Sequence, residues 1–183
     1  MECLARLRRR ERGSALLEFA IVLPLLVVFI VGIYDFSGAY NQKQKIEHAA
    51  QSGAIAAAAQ PTGDLEVPDP ASLLPVATVM FNSLAADGVL PKAGQSPCVA
   101  PVTAAANSGL VWTYTITGCP DDVTITINRG SVVPGPPATV STVVTVSYPY
   151  HWRFNSVIQL LIPGASYAAT TDLHETATAH NQM

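Results

Sequence analysis

Arg8-Arg9-Arg10-Glu11-Arg12-Gly13-Ser14-Ala15-Leu16-Leu17-Glu18-Phe19 stands at the head of a long apolar run and decides how the rest of the chain is read. From Phe19 to Ile33 no residue is charged. Ser14–Ile33, with Tyr34 at the far edge, supplies about 20 residues, enough to cross ~30 Å of hydrocarbon as an α-helix. Glu18 is the exception inside that run. A carboxylate in bilayer hydrocarbon costs on the order of 2–3 kcal/mol, so its presence demands a reason.

Upstream, residues 1–13 carry five Arg against Glu2 and Glu11, a balance of +3, while the five basic and eleven acidic residues that follow give −6. A short basic block directly before an apolar run predicts a leader held in the cytoplasm, with residues from about Asp35 onward on the other side. A secretory signal peptide fits less well, because the apolar region is too long and no Ala-x-Ala-like site follows it. Nucleic acid is the rival partner for an Arg cluster, but no second basic patch extends the footprint, and none is expected to bind. Charged residues make up only 13% of the chain, against ~25% in ordinary soluble domains. That low figure fits a protein partly in membrane and partly β-rich.

Downstream, the helix is expected to continue to about Ala59. Pro24 is its one strong breaker and lies where neighbouring helices tolerate it. Ile46, Ala49, Ala50, Gly53, Ala54 and Ala57 recur at helical spacing. The Ala-rich stretch 49–59 has no bulk of its own and needs a surface, either a related envelope component or its own domain. Pro61-Thr62-Gly63-Asp64 ends the helix. Asp69-Pro70 reads as an N-cap and first position of a second helix over roughly 70–86, with Leu73, Leu74, Ala77, Met80, Phe81 and Leu84 on one face. Pro75 in its first turns would delay the start.

Residues 91–109 carry few order signals. Alternation then predicts strands over Val111–Thr117 and Val123–Asn128, joined through Gly118–Asp122. Arg129–Ala138 reads as a loop, Thr139–Tyr148 as a strand, Val157–Ile162 as a short helical turn and Ser166–Ala179 as a last strand. The expected fold class is α+β: a long N-terminal helix, then a small domain whose antiparallel sheet packs on the exported half of that helix. The division is a leader at 1–13, a transmembrane helix at 14–34, its exported continuation at 35–59 and an exported domain at 60–183. Cys98 and Cys119 are the two cysteines of the exported part, and an oxidising compartment favours pairing them over two free buried thiols. Cys3 would stay in the reducing cytoplasm.

The run Arg12-Gly13-Ser14-Ala15-Leu16-Leu17-Glu18-Phe19 resembles the prepilin peptidase site of type IV pilin-like proteins. Extended through Ala20-Ile21-Val22-Leu23-Pro24-Leu25-Leu26, it resembles more narrowly the TadE-like pseudopilins of the tight-adherence (Flp/Tad) pilus. Ile33-Tyr34-Asp35-Phe36, the Ala-rich Ile46–Ala59 helix and Val143–Tyr150 also fit. The resemblance implies a pilin-like fold and a minor pilin of the bacterial inner membrane, N-terminus cytoplasmic, that is cut between Gly13 and Ser14 by a prepilin peptidase. Its implied partners are other pilin or pseudopilin subunits and the Tad assembly machinery. It further implies that Glu18, beside Phe19, pairs with the new Ser14 amine of a neighbouring subunit. The plainer alternative has Glu18 at headgroup depth, reaching into water.

Catalytic signals are weak. His174-Glu175 and His180 form H-E-x4-H, which does not put both imidazoles on one helical face and in a strand separates them by ~20 Å. Asp121-Asp122 reads as a turn without a full oxygen cage for a cation, and His48 as a solvated residue of a polar helix segment. No phosphate loop, nucleophile elbow or Cys/His pair is present. No enzyme activity, metal or cofactor is expected. The remaining alternative is a membrane-anchored extracytoplasmic binding module without a pilus role, whose contacts would come from Trp112, Tyr114, Tyr148, Tyr150 and Trp152.

Overall fold

The computed structural model describes residues 2–91, 98, 100, 105–106, 109–154, 159, 164 and 170–182. The first helix, α1 (Glu2–Ala58), continues through Pro24 and starts twelve residues before the expected Ser14. Arg, Leu, Glu and Ala of the leader are all strong helix formers, and nothing at Gly13 and Ser14 outweighs them. Two compact units divide the chain, Met1–Gly38 with Trp152–Ala169, and Ala39–His151 with Thr170–Met183.

The second unit is a helix–sheet sandwich. Its sheet is a pure antiparallel meander, β1 (Ala105–Ala106), β2 (Val111–Ile116), β3 (Val123–Val133), β4 (Thr139–His151) and β5 (Thr170–His180), in that spatial order. Alternation along β2, β3 and β4 puts one side chain in two into the core. The register then lines them up in rows, Trp112 beside Ile127 beside Val144, and Tyr114 beside Ile125 beside Val146. All six are buried. Against this face pack the second helix, α2 (Leu74–Ala86), and the Ala-rich end of α1. The protein is therefore α+β, as its sequence pattern predicts.

Two further expectations change, and one open alternative is resolved. First, α2 starts at Leu74 with Pro75 in its opening turn, four residues later than the Asp69-Pro70 signal placed it. A start at Pro70 would have put Pro75 where a helical N–H is needed, whereas in the first turn that N–H has no partner to lose. Second, β3 runs to Val133, so the loop read at Arg129–Ala138 shrinks to 134–138. A register shift between Asn128 and Ser131 absorbs Arg129 and Gly130, and Val132 and Val133 then pair with Val140 and Thr139. β4 likewise runs past Tyr148 to His151 through Pro149, beyond the last β3 pair at Thr124–Ser147, where a missing N–H costs no ladder bond to β3. Of the two surfaces left open for the Ala-rich stretch, its own domain covers one face of it. Ala49, Ala50, Ala54, Ala57 and Ala58 are buried within their own domain.

The close approach of α1 and α2 explains why small residues stand there. A Cβ at Gly53 would overlap the Sδ and Cγ of Met80, itself fully buried. The segment read as Val157–Ile162 lies outside the described residues except Gln159, whose backbone is helical, and 166–169 of the last predicted strand lie outside them too.

Candidate membrane anchor and maturation site

From Ser14 to Val27 the side chains of α1 turn outward on every side, and only Val28 and Val31, on the face towards Asp35, are half-buried. Leu16, Leu17, Phe19, Ile21, Leu25, Phe29, Ile30 and Ile33 are each 57–70% exposed. No soluble helix presents such a surface to water without a cost, and Ser14–Ala58 holds the one described stretch long and apolar enough to cross a membrane. At its head, Ser14 Oγ donates to Glu18 Oε1 at 3.3 Å, one helical turn away. The carboxylate thus has a local donor from the residue expected to become the N-terminus. Gly13 and Ser14 have helical backbone, so an extended substrate strand at that bond requires α1 to unwind there.

In the second unit the cysteines form the disulfide Cys98–Cys119, joining the 91–109 stretch to the β2–β3 turn. Both are buried. Among the described residues no group of three or more His, Cys, Asp or Glu converges for a metal. His174 and His180 lie on β5, opposite Ser147 and Ser141. His48 is exposed, with Nδ1 3.7 Å from Asp87. Of the aromatic residues offered as binding contacts, Trp112, Tyr114 and Tyr148 are core residues, and Tyr150 and Trp152 are half-buried.

Sequence reading missed two polar arrangements. Asp121 does more than make a turn. Both its oxygens lie within 2.8–2.9 Å of His151 Nε2, and His151 Nδ1 is 3.3 Å from Thr170 Oγ1. This chain ties the β2–β3 turn to the far end of the β4–β5 ladder, and only the sheet register brings residues 121, 151 and 170 together. The other arrangement surrounds the α1–α2 connection. Buried Arg129 donates from Nη1 to Pro61 O at 3.1 Å, Trp112 Nε1 donates to Val67 O at 3.4 Å, and Asp64 accepts from Ser72 N and Oγ at 2.8 Å each. The Ser72 bonds hold the Asp64 carboxyl below its usual range, and burial pulls the Arg129 guanidinium down against the pull of Asp64.

Burial pushes the Tyr114 phenol up to about 12, with Asp69 and Asp64 adding to the shift, and among the described residues its hydroxyl has no hydrogen-bond partner. A group whose folded pKa is raised stabilises below its unfolded value near 10 and loses that contribution as pH climbs towards 12, here up to about 3 kcal/mol. The domain is expected to melt progressively lower between those pH values. Tyr114→Phe removes an unsatisfied hydroxyl rather than a bond, so it should hold or raise the neutral-pH melting temperature and flatten the alkaline limb. Thermal melts followed by Trp112 emission in Trp152→Phe protein across that range check both.

The match to known families falls on the helix, not on the sheet. Residues 13–54 match the family model described as TadE-like protein. The match begins at Gly13, ends inside the Ala-rich part of α1 and covers about a quarter of the chain. No curated protein and no solved structure matches. The TadE-like segment therefore bears out the resemblance over the anchor and the start of the packed helix, and it does not extend to Val143–Tyr150.

Proposed function

We propose that this chain is a membrane-anchored pseudopilin, or minor pilin, that takes part in assembling a Tad-type pilus. A prepilin peptidase cuts it between Gly13 and Ser14 on the cytoplasmic side of the bacterial inner membrane. The α1 segment from Ser14 to Tyr34 is the single-pass anchor, and the disulfide-bonded α+β domain is extracytoplasmic. The observation that carries this reading is the TadE-like match starting at Gly13, on a helix whose apolar side chains are largely exposed.

Maturation gives Ser14 a free α-amine that titrates near ~8 in water and is a cation at neutral pH. Glu18, costly in hydrocarbon when alone, is the group that such a cation compensates. In the uncut chain Ser14 Oγ already serves that carboxylate. In an assembly, the amine of a neighbouring subunit replaces this neutral bond with a charged one. Glu18 then sets the axial register between subunits, while other pilins and the Tad machinery supply the neighbours. The role is structural, with no bond made or broken by the chain itself.

The intact mass and N-terminal residue of the protein purified from its host test the reading. A chain beginning at Ser14 is the expected result. A chain beginning at Met1 in cells that make pili would withdraw the pilin assignment.

A further inference from the structure

The connection between β4 and β5, Trp152–Ala169, groups with the anchor part of α1. Its first residues are fixed to that helix at one level. Phe154 N donates to Asp35 Oδ2 at 2.7 Å, and the rings of Phe36 and Trp152 meet edge-on with centroids 5.3 Å apart. Asp35 is the first charged residue after the apolar run and is only 1% exposed. A buried carboxylate is tolerable when hydrogen-bonded, and the Phe154 amide supplies such a bond.

That level is not arbitrary. Some 20 apolar residues from Ser14 to Tyr34 bring Asp35 to the outer limit of the hydrocarbon. Trp152 and Phe154, held within contact distance of Phe36 and Asp35, therefore sit at the same depth. Their chemistry suits it. Tyr34, Phe36 and Arg153 are exposed, and Trp152 and Phe154 partly so. Trp and Tyr settle at headgroup level, where one end of the ring is apolar and the other wet, and an Arg there reaches lipid phosphate while its stem lies on apolar surface. Downstream, Val157-Ile158-Gln159-Leu160-Leu161-Ile162 has five apolar residues in six, a composition ill-suited to an aqueous loop.

We propose that the start of the β4–β5 connection is a second membrane contact. Tyr34, Phe36, Trp152, Arg153 and Phe154 together form an interfacial platform in the outer headgroup–acyl boundary, with phospholipid as the partner and Asp35 as the latch that holds the platform to the anchor. The inference rests on the anchor reading above. It gives the protein two lipid attachments, so withdrawal from the bilayer must release both.

The chain's two tryptophans make the test direct. Trp112 is 1% exposed in the sheet core, which leaves Trp152 to report on lipid. The full chain is reconstituted into phosphatidylcholine–phosphatidylglycerol vesicles, collected by flotation, and its emission compared with and without brominated acyl chains. The wild type is expected to lose roughly half or more of its Trp152 emission, and bromines near the headgroup should quench more than bromines near the bilayer centre. Trp152→Phe, which keeps a ring against Phe36, should remove the quenchable component, and Asp35→Ala should weaken the quenching. Vesicle-bound protein whose Trp152 ignores bromine but is freely quenched by acrylamide would overturn the inference alone. Protein that fails to float with vesicles would overturn the anchor reading and the inference together.

Discussion

Gly13→Val is expected to leave the chain at full length, starting at Met1, and to abolish pilus assembly. The bond proposed to be cut lies within α1, where Gly13 and Ser14 have helical backbone. A peptidase must draw that bond out straight and bring its own backbone close. Glycine meets both demands, since it is a poor helix former and offers no Cβ to the approaching enzyme. Valine leaves the chain free to unwind but adds two methyl groups at the closest contact, so the loss is steric and complete. Alanine separates the two contributions. Its single methyl is small, while its helix preference is about 1 kcal/mol stronger, so Gly13→Ala should slow maturation by roughly fivefold without stopping it. Glu18→Gln, by contrast, should mature normally to Ser14 yet fail to assemble, because it removes the charge and not the cleavage bond. Intact mass and electron microscopy of the cell surface read both steps. Normal pili from cells holding only the uncut form would sink the proposal.

Much of this architecture is legible from the chain because its signals are local. The exposed apolar helix follows from an uninterrupted run after an Arg block, and β2, β3 and β4 follow from strict alternation of Val, Ile, Thr and aromatics. What failed to show depends on partners distant in sequence. Arg129 and Gly130 look like loop residues, and they sit in a strand only because β4 offers Val140 and Thr139 to Val132 and Val133 beyond the register shift. The self-covering of the Ala-rich helix has the same origin. Small side chains advertise a close neighbour without naming it, and here Met80 of α2 occupies the space over Gly53. Polar groups are harder still. Asp121 gave no hint of His151, thirty residues away, nor Asp35 of the Phe154 amide, 119 residues away. The maturation site proposed at Gly13 and Ser14 rests on an equally local signal, because Gly13, Ser14, Glu18 and Phe19 stand within seven residues of one another.

Removing the disulfide should produce the largest loss of stability in the α+β domain. Cys98 and Cys119 close a span of 21 residues, and the chain-entropy relation gives about 3 kcal/mol for a loop of that size. In a domain of this size that is ~10 °C in melting temperature. The figure matters because little else described in the 91–109 stretch holds it to the sheet: β1 contributes two residues, paired only with Trp112 and Thr113. A paired Cys98→Ser, Cys119→Ser variant should therefore lose β1 and loosen the β2 edge before the rest of the sheet melts. The readout must be Trp112 emission in Trp152→Phe protein, since the long apolar half of α1 stays helical in lipid or detergent and masks the far-ultraviolet signal. Reductant should act slowly on the wild type, because Cys98 and Cys119 are 2% and 9% exposed and must be uncovered first. The serine pair has no such barrier and should melt low from the outset. A double variant that melts with the wild type would mean that packing of Leu90 and the half-buried Ala100 against the core holds this stretch without help from the crosslink.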